Sequence, residues 1–295
     1  MHTPTPPPPT LGDVVLPNTR LHYVSCGSGP PLLMVPATVS LISQWLPLAQ
    51  FMGQHFTAYF FELPGHGGSW PYPGKFESRL VPATVQAFMQ AMGHETFNLM
   101  GFSFGGLLAL RTLEALQERI ENVILISPCV SKRALLYSPS RQWGFRLLSA
   151  AFKRSLVQQS AVQLMHNKYM ERPLIYALSK FANIEESILK TKNALNIPQS
   201  TLDVLAYTLD EIFSLDYDYP QKPFLHPCYF AMSRYDDLLD YVTTLEIVKE
   251  HFGDLTTRAF TLPYHQPPEP PTFDWLNQEF GTFLQLVTTL IASRP

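Results

Sequence analysis

Charge of either sign is scarce in this sequence: Lys, Arg, Asp and Glu make up 15% of 295 residues, with 21 bases against 24 acids. A net charge of −3 leaves no electrostatic footprint for a polyanion, so nucleic-acid binding drops out. Long apolar runs are missing as well. The longest charge-free stretch, Leu21 to Phe61, is interrupted by Ser25, Gly27, Gly29, Pro30, Pro31, Gln44 and Gln50, and falls short of the ~18 consecutive apolar residues that suggest a spanning helix. The first residues, Met-His-Thr-Pro-Thr and then four prolines, carry neither the basic nor the apolar segment of a secretory signal. A cytoplasmic chain without stable membrane insertion is the expectation. Cysteine is limited to Cys26, Cys129 and Cys228, odd in number and far apart, which fits neither a disulfide framework nor a C-x-x-C metal site. Buried thiols in a reducing compartment are expected. Proline, by contrast, is abundant at 27 residues, and five of these in the first ten positions read as a mobile arm over 1–10. A hydrophobic share of 46% is enough to build a full core, which excludes a disordered or fibrous chain.

Beyond the arm, two short apolar runs, Val14 to Leu16 and Leu21 to Ser25, flank Pro17-Asn18-Thr19 and predict a β-hairpin. The pattern then changes. Leu32–Val35, Ala58–Phe61, Phe97–Met100, Val123–Ile126 and Tyr229–Met232 are nearly continuous apolar runs, as strands covered on both faces require. Between them Ser40–Gly53, Val81–Met92, Gly106–Arg119 and Leu239–His251 show three- and four-residue apolar spacing. Strands alternating with helices predict a mostly parallel central sheet flanked by helices, an α/β fold.

The most informative segment is Asn98-Leu-Met-Gly-Phe-Ser-Phe-Gly-Gly-Leu-Leu, in which an apolar strand runs through Gly101-Phe102-Ser103-Phe104-Gly105 directly into a helix. A strand that turns so abruptly strains the backbone at Ser103 and leaves no room for side chains at Gly101 and Gly105. The helix then aims its free N–H groups and positive dipole end near the Ser103 hydroxyl, where negative charge would develop. A dinucleotide fingerprint or a P-loop in the same position would need G-x-G-x-x-G or a terminal Lys-Ser/Thr pair, and neither is present.

A serine at its ordinary pKa needs a base to take its proton and an acid to hold that base, in the chain order serine, acid, histidine. After the run ending at Met232 comes Ser233-Arg-Tyr-Asp236-Asp237-Leu-Leu-Asp240, a loop at the carboxyl edge of the sheet. Asp236 is the predicted acid, with Asp237 and Asp240 as rivals suited to capping the following helix. Only His251 and His265 follow that loop. His251 falls within a helical run, whereas His265 lies after the last predicted strand, Arg258–Leu262, between Pro263 and Pro267, which selects His265 as the base. His66, in Pro64-Gly-His-Gly-Gly-Ser69, reads as part of a structural turn.

Taken together, Gly29-Pro-Pro-Leu-Leu33, the Leu63–Ser69 turn, the segment around Ser103, the acid loop, and His265 followed by Pro268-Glu269-Pro270 resemble the α/β-hydrolase superfamily in order and spacing. The resemblance implies Ser103 as nucleophile, Asp236 as acid, His265 as base, and the N–H groups of Thr38 and Phe104 as an oxyanion hole, with no metal or cofactor. Two positions depart from the family pattern: Pro36-Ala37 stands where the family has His-Gly, and Glu62 where it usually has Asp. The family's dehalogenating and epoxide-opening members carry an aspartate at the elbow. A serine therefore points to acyl transfer, and to a serine hydrolase acting on a carboxylic ester or related small acyl compound, expected to be apolar. An acyltransferase, a carbon–carbon bond hydrolase or a non-catalytic binding protein of the same fold are the alternatives.

Residues 128–219 do not continue the strand rhythm and, by the same resemblance, form a helical cap inserted after the sixth strand. They divide the catalytic core into 11–127 and 220–295. Lys132, Arg133, Arg141, Arg146, Lys153, Arg154 and Lys168 occur without an acid between Pro128 and Met170, interleaved with Trp143, Leu147, Leu148, Phe152 and Leu156. That amphipathic pattern predicts either a stripe packed on the core, with solvated bases, or a lid that attracts acidic substrates or a lipid surface.

Overall fold

A computed structural model describes residues 5–182, 197–217, 223–267 and 270–294. Parts of the expected arm (1–4), of the cap with its second boundary (183–196 and 218–222), and Pro268-Glu269 lie outside the described residues. The chain runs β1 (Pro9–Leu16), β2 (Thr19–Cys26), β3 (Pro31–Val35), α1 (Ile42–Met52), β4 (Thr57–Phe61), α2 (Val81–Ala91), β5 (Phe97–Phe102), α3 (Phe104–Ala115) and β6 (Ile120–Ile126). The helices α4 (Pro139–Phe152), α5 (Ser155–Met165), α6 (Glu171–Ala182) and α7 (Gln199–Ser214) follow. The chain then closes with β7 (Phe224–Ser233), α8 (Tyr241–His251), β8 (Phe252–Phe260) and α9 (Phe273–Ala292).

The eight strands form one sheet in the order β1-β2-β4-β3-β5-β6-β7-β8. Pairing is antiparallel through β2 and parallel from β4 onward. Neighbouring residues of the central strands point to opposite faces. Leu33, Phe61, Leu99, Leu125 and Phe230 pack in the core with α2, α3 and α8, while Leu32, Phe60, Met100, Ile124 and Tyr229 pack with α1 and α9. Because both faces are covered, the runs are apolar at every position rather than at alternate ones.

The expected hairpin is present, but β1 begins inside the proline-rich arm, at Pro9, and Gln50 Nε2 donates to the Pro7 carbonyl at 3.1 Å. The arm is therefore fixed from Pro7 onward. The last strand also starts earlier than its sequence signal, at Phe252, directly after α8, because Gly253 and Asp254 break the apolar pattern that would have marked it.

The insertion is helical and packs on the core through Val204, Phe213 and Tyr217. Its two ends are joined by the Ser131–Asp216 bridge. The expected stripe is not the packed one. Trp143, Leu147 and Leu156 are exposed, and the buried ring of α4 is Phe145, stacked on Phe213 at 4.6 Å. Among the described residues, Arg133 pairs with Asp216 and Lys153 with Asp210, acids remote from them in sequence. No helix among the described residues is long and apolar enough to cross a membrane.

Candidate active site

Parallel strands deliver their carboxyl ends to one edge of the sheet, and the loops leaving β3, β5, β7 and β8 meet there. Between β5 and α3, Ser103 adopts φ 54° and ψ −124°, a conformation side chains other than glycine rarely occupy. Neighbouring backbone holds it: the Ser103 N–H donates to the Ile126 carbonyl at 3.1 Å, and its carbonyl accepts from the Cys129 N–H at 2.8 Å. The glycines around it have distinct reasons. A Cβ on Gly101 would stand 2.4 Å from the Gly105 carbonyl oxygen, and one on Gly105 would stand 2.6 Å from that of Val35. Gly105 thus lets the start of α3 touch the loop after β3, a contact outside the turn itself.

The structure brings together the three residues selected from chain order. His265 Nε2 lies 2.8 Å from Ser103 Oγ, and His265 Nδ1 lies 2.8 Å from Asp236 Oδ2. A carboxylate beside Nδ1 fixes the proton there, so Nδ1–H donates to Asp236 and Nε2 accepts from the serine hydroxyl. The other Asp236 oxygen accepts the backbone N–H groups of Leu238 and Leu239 at 2.9 and 2.8 Å. Burial pushes the Asp236 carboxyl pKa up, but the bonds from His265 and the two backbone N–H groups outweigh it and hold the pKa below the usual value. Asp236 is therefore a carboxylate although its side chain has no exposed surface.

The rivals have other positions. Asp240 caps α8 by accepting from the Thr243 N–H at 2.8 Å, as its sequence position suggested. His251 is buried at the far end of α8, where Nδ1–H donates to the Ile247 carbonyl. Asp237 takes a part that the sequence did not signal, accepting the His265 backbone N–H at 2.6 Å. Nor does the sequence signal Phe102, whose ring stacks on the His265 imidazole with centroids 5.2 Å apart. Cys129, beside the serine, is no competing nucleophile. Burial first, then the Asp236 and Glu211 charges, push its thiol up to about 12.

Glu62, one of the two departures from the family pattern, belongs to a hydrogen-bonded framework beside the site. Glu62 Oε1 accepts from the Ile42 N–H at 2.9 Å, supplying the acceptor that the N-cap residue Leu41 lacks, and its other oxygen accepts from Gly68 N–H. Ser40 Oγ accepts from the Leu63 N–H and lies 2.6 Å from His66 Nδ1. Full burial pushes His66 down to about 4, so it is a neutral brace between the loop that carries Thr38 and the turn after β4. Thr38 is half-buried in that loop. Among the described residues, no group of three or more His, Cys, Asp or Glu side chains is placed to hold a metal ion.

Comparison with known proteins agrees with the fold. The family model described as the alpha/beta hydrolase fold matches residues 30–265. The chain is 28% identical over 132 residues to an N-formylmaleamate deformylase from Pseudomonas putida, covering 44% of this chain and 49% of that protein, about half its length. It is 24% identical over 226 residues to a pimeloyl-[acyl-carrier protein] methyl ester esterase from Pseudoalteromonas atlantica, covering 75% of this chain and 82% of that protein. Among solved structures, the enol-lactonase from Burkholderia xenovorans superposes with a TM-score of 0.65 at 16% identity, over 96% of this chain and all of the other. The extent of the family match and the agreement in fold lead to one conclusion: the chain belongs to the alpha/beta hydrolase fold family.

Proposed function

We propose that this protein is a serine hydrolase that cleaves a carboxylic ester or related acyl compound through an acyl-enzyme on Ser103. The observation that carries the reading is the unbroken chain from Ser103 Oγ to His265 to Asp236, each link 2.8 Å long. In the proposed reaction Nε2 of His265 takes the Ser103 proton as Oγ attacks the carbonyl carbon, and Asp236 stabilises the imidazolium. The same imidazolium returns the proton to the leaving group. A water, deprotonated in turn by His265, then releases the acid and regenerates Ser103.

The developing oxyanion is assigned to the N–H groups of Phe104 and Thr38. Phe104 is the first residue of α3 and has no intrahelical acceptor for its N–H. The close approach of Gly105 to the Val35 and Pro36 carbonyls supports the pairing, because it brings the loop of Thr38 against the start of that helix. On this reading the absent His-Gly pair matters little, since the donor is backbone. The esterase and deformylase names of the relatives fit acyl chemistry. The test is turnover of simple aryl esters, in which Ser103→Ala is expected to lose roughly 10³-fold or more with unchanged thermal unfolding. A folded variant that keeps its activity would remove Ser103 from the mechanism.

A further inference from the structure

A second feature of the reactive edge is a cavity of about 90 Å³ between α1 and α9, on the sheet face away from α2, α3 and α8. Its walls are apolar, with Trp45, Leu48, Phe260, Trp275 and Phe280 prominent among them. His265 and Phe102 also line it; Ser103 does not, but its Oγ lies 2.8 Å from His265 Nε2. None of its described lining residues comes from 128–219, so the core rather than the cap forms this space. One lining residue is conformationally unusual. Ser127, at the end of β6, has φ 41°, and apart from Ser103 it is the only non-glycine residue with positive φ among those described. Non-glycine residues held in such sparsely populated regions cluster at ligand sites. Its hydroxyl has no hydrogen-bond partner among the described residues, although 95% of the residue is shielded from solvent. The bonds from Ser103 N–H to Ile126 and from Cys129 N–H to Ser103 bracket it, which sets Ser127 beside the nucleophile's backbone.

We infer that this cavity is the specificity pocket of the reaction proposed for Ser103, taking a compact apolar arm of the substrate, with the Ser127 hydroxyl donating to an oxygen carried on that arm. The inference rests on the Ser103 reading for its chemistry. An apolar cleft with few polar groups, opening beside a reactive imidazole, has the character of a ligand site. The volume limits the arm: about three times the roughly 30 Å³ that a water occupies in the liquid admits on the order of three to five carbons.

The experiment measures kcat/KM for two ester series, one lengthening the acyl chain and one the alcohol, so that the response identifies which arm enters. In one series kcat/KM is expected to rise roughly fourfold per carbon to about five carbons and then level off. Leu48→Trp, which fills the cavity, is expected to shorten that rise, and Trp275→Ala to extend it. Ser127→Ala is read as a ratio within one protein: an oxo-bearing arm against its alkyl counterpart, expected to lose about tenfold. Loss of folding cannot mimic that ratio. Chain-length profiles and ratios unmoved in folded, active variants would overturn the pocket and leave the Ser103 reading intact. Should wild type neither hydrolyse an ester nor label with a fluorophosphonate, the Ser103 reading falls, and the pocket is judged by thermal shift with pentanoate. Stabilisation of wild type but not of Leu48→Trp supports it, and no stabilisation of wild type overturns it.

Discussion

At the scale of single residues the site depends on who holds the imidazole. Asp236 and Asp237 are neighbours in sequence, yet one carboxylate meets the ring nitrogen and the other meets the backbone of the same histidine. Their replacement is expected to separate. Asp236→Asn removes the charge that, in the proposed reaction, stabilises the imidazolium and fixes its tautomer, and it is expected to lower kcat by roughly 10⁴, the scale seen for triads of this kind. Asp237→Asn keeps a hydrogen-bonding side chain and leaves the tautomer alone, so a loss of about tenfold or less is expected. Kinetics of the two variants on one ester decides the matter, and the reverse ranking would move the acid to Asp237. From sequence the choice between them rested on loop order, because nothing local distinguishes two adjacent aspartates. Asp240 was more legible, since it stands where a helix needs a cap.

At the scale of elements, α3 determines how closely the site can be assembled. Its first turn lies against the end of β3 with no space for a methyl group at Gly105. Gly105→Ala would force the Val35 and Pro36 carbonyls outward, with a destabilisation of about 1–3 kcal/mol and slower turnover as the two proposed oxyanion donors separate. Thermal unfolding and kcat on the same samples check this, and a variant as stable and active as wild type would show the contact to be loose. The strands were readable because doubly covered strands leave continuous apolar runs, and the G-x-S-x-G turn because sterics dictate its glycines. The stripe of α4 left two readings open for an opposite reason. Trp143 and Leu147 are apolar yet exposed, and an amphipathic pattern alone does not say which neighbour receives it. The cavity beside His265 left no trace in the sequence, since its walls come from α1, four strand ends and α9.

For the molecule as a whole, long-range contacts join the insertion to the rest of the chain. Arg111 of α3 pairs with Glu211 of α7, which also accepts from the Ser78 hydroxyl, and Thr201 donates to the Gly65 carbonyl in the turn beside His66. That turn has a signature in global stability. His66 titrates near 4 when folded and about 6.5 when unfolded, so between those values the unfolded chain binds more protons. Stability is therefore full above about 6.5 and falls as pH drops toward 4, by up to roughly 3 kcal/mol from this residue. The depressed Asp236 carboxyl acts in the same direction at lower pH. Thermal unfolding followed from pH 7 to 4.5 is expected to fall more steeply in wild type than in His66→Gln, and parallel curves would contradict the neutral brace.

In the proposed reaction one serine, activated through His265 and Asp236, forms a covalent bond with an acyl substrate. The most direct test is reaction of the whole protein with a fluorophosphonate, followed by mass spectrometry of the peptides. A single adduct on Ser103 is expected, formed quickly in wild type, much more slowly in His265→Ala, and absent in Ser103→Ala. An unlabelled protein, or an adduct on any other residue, would contradict the proposed reaction.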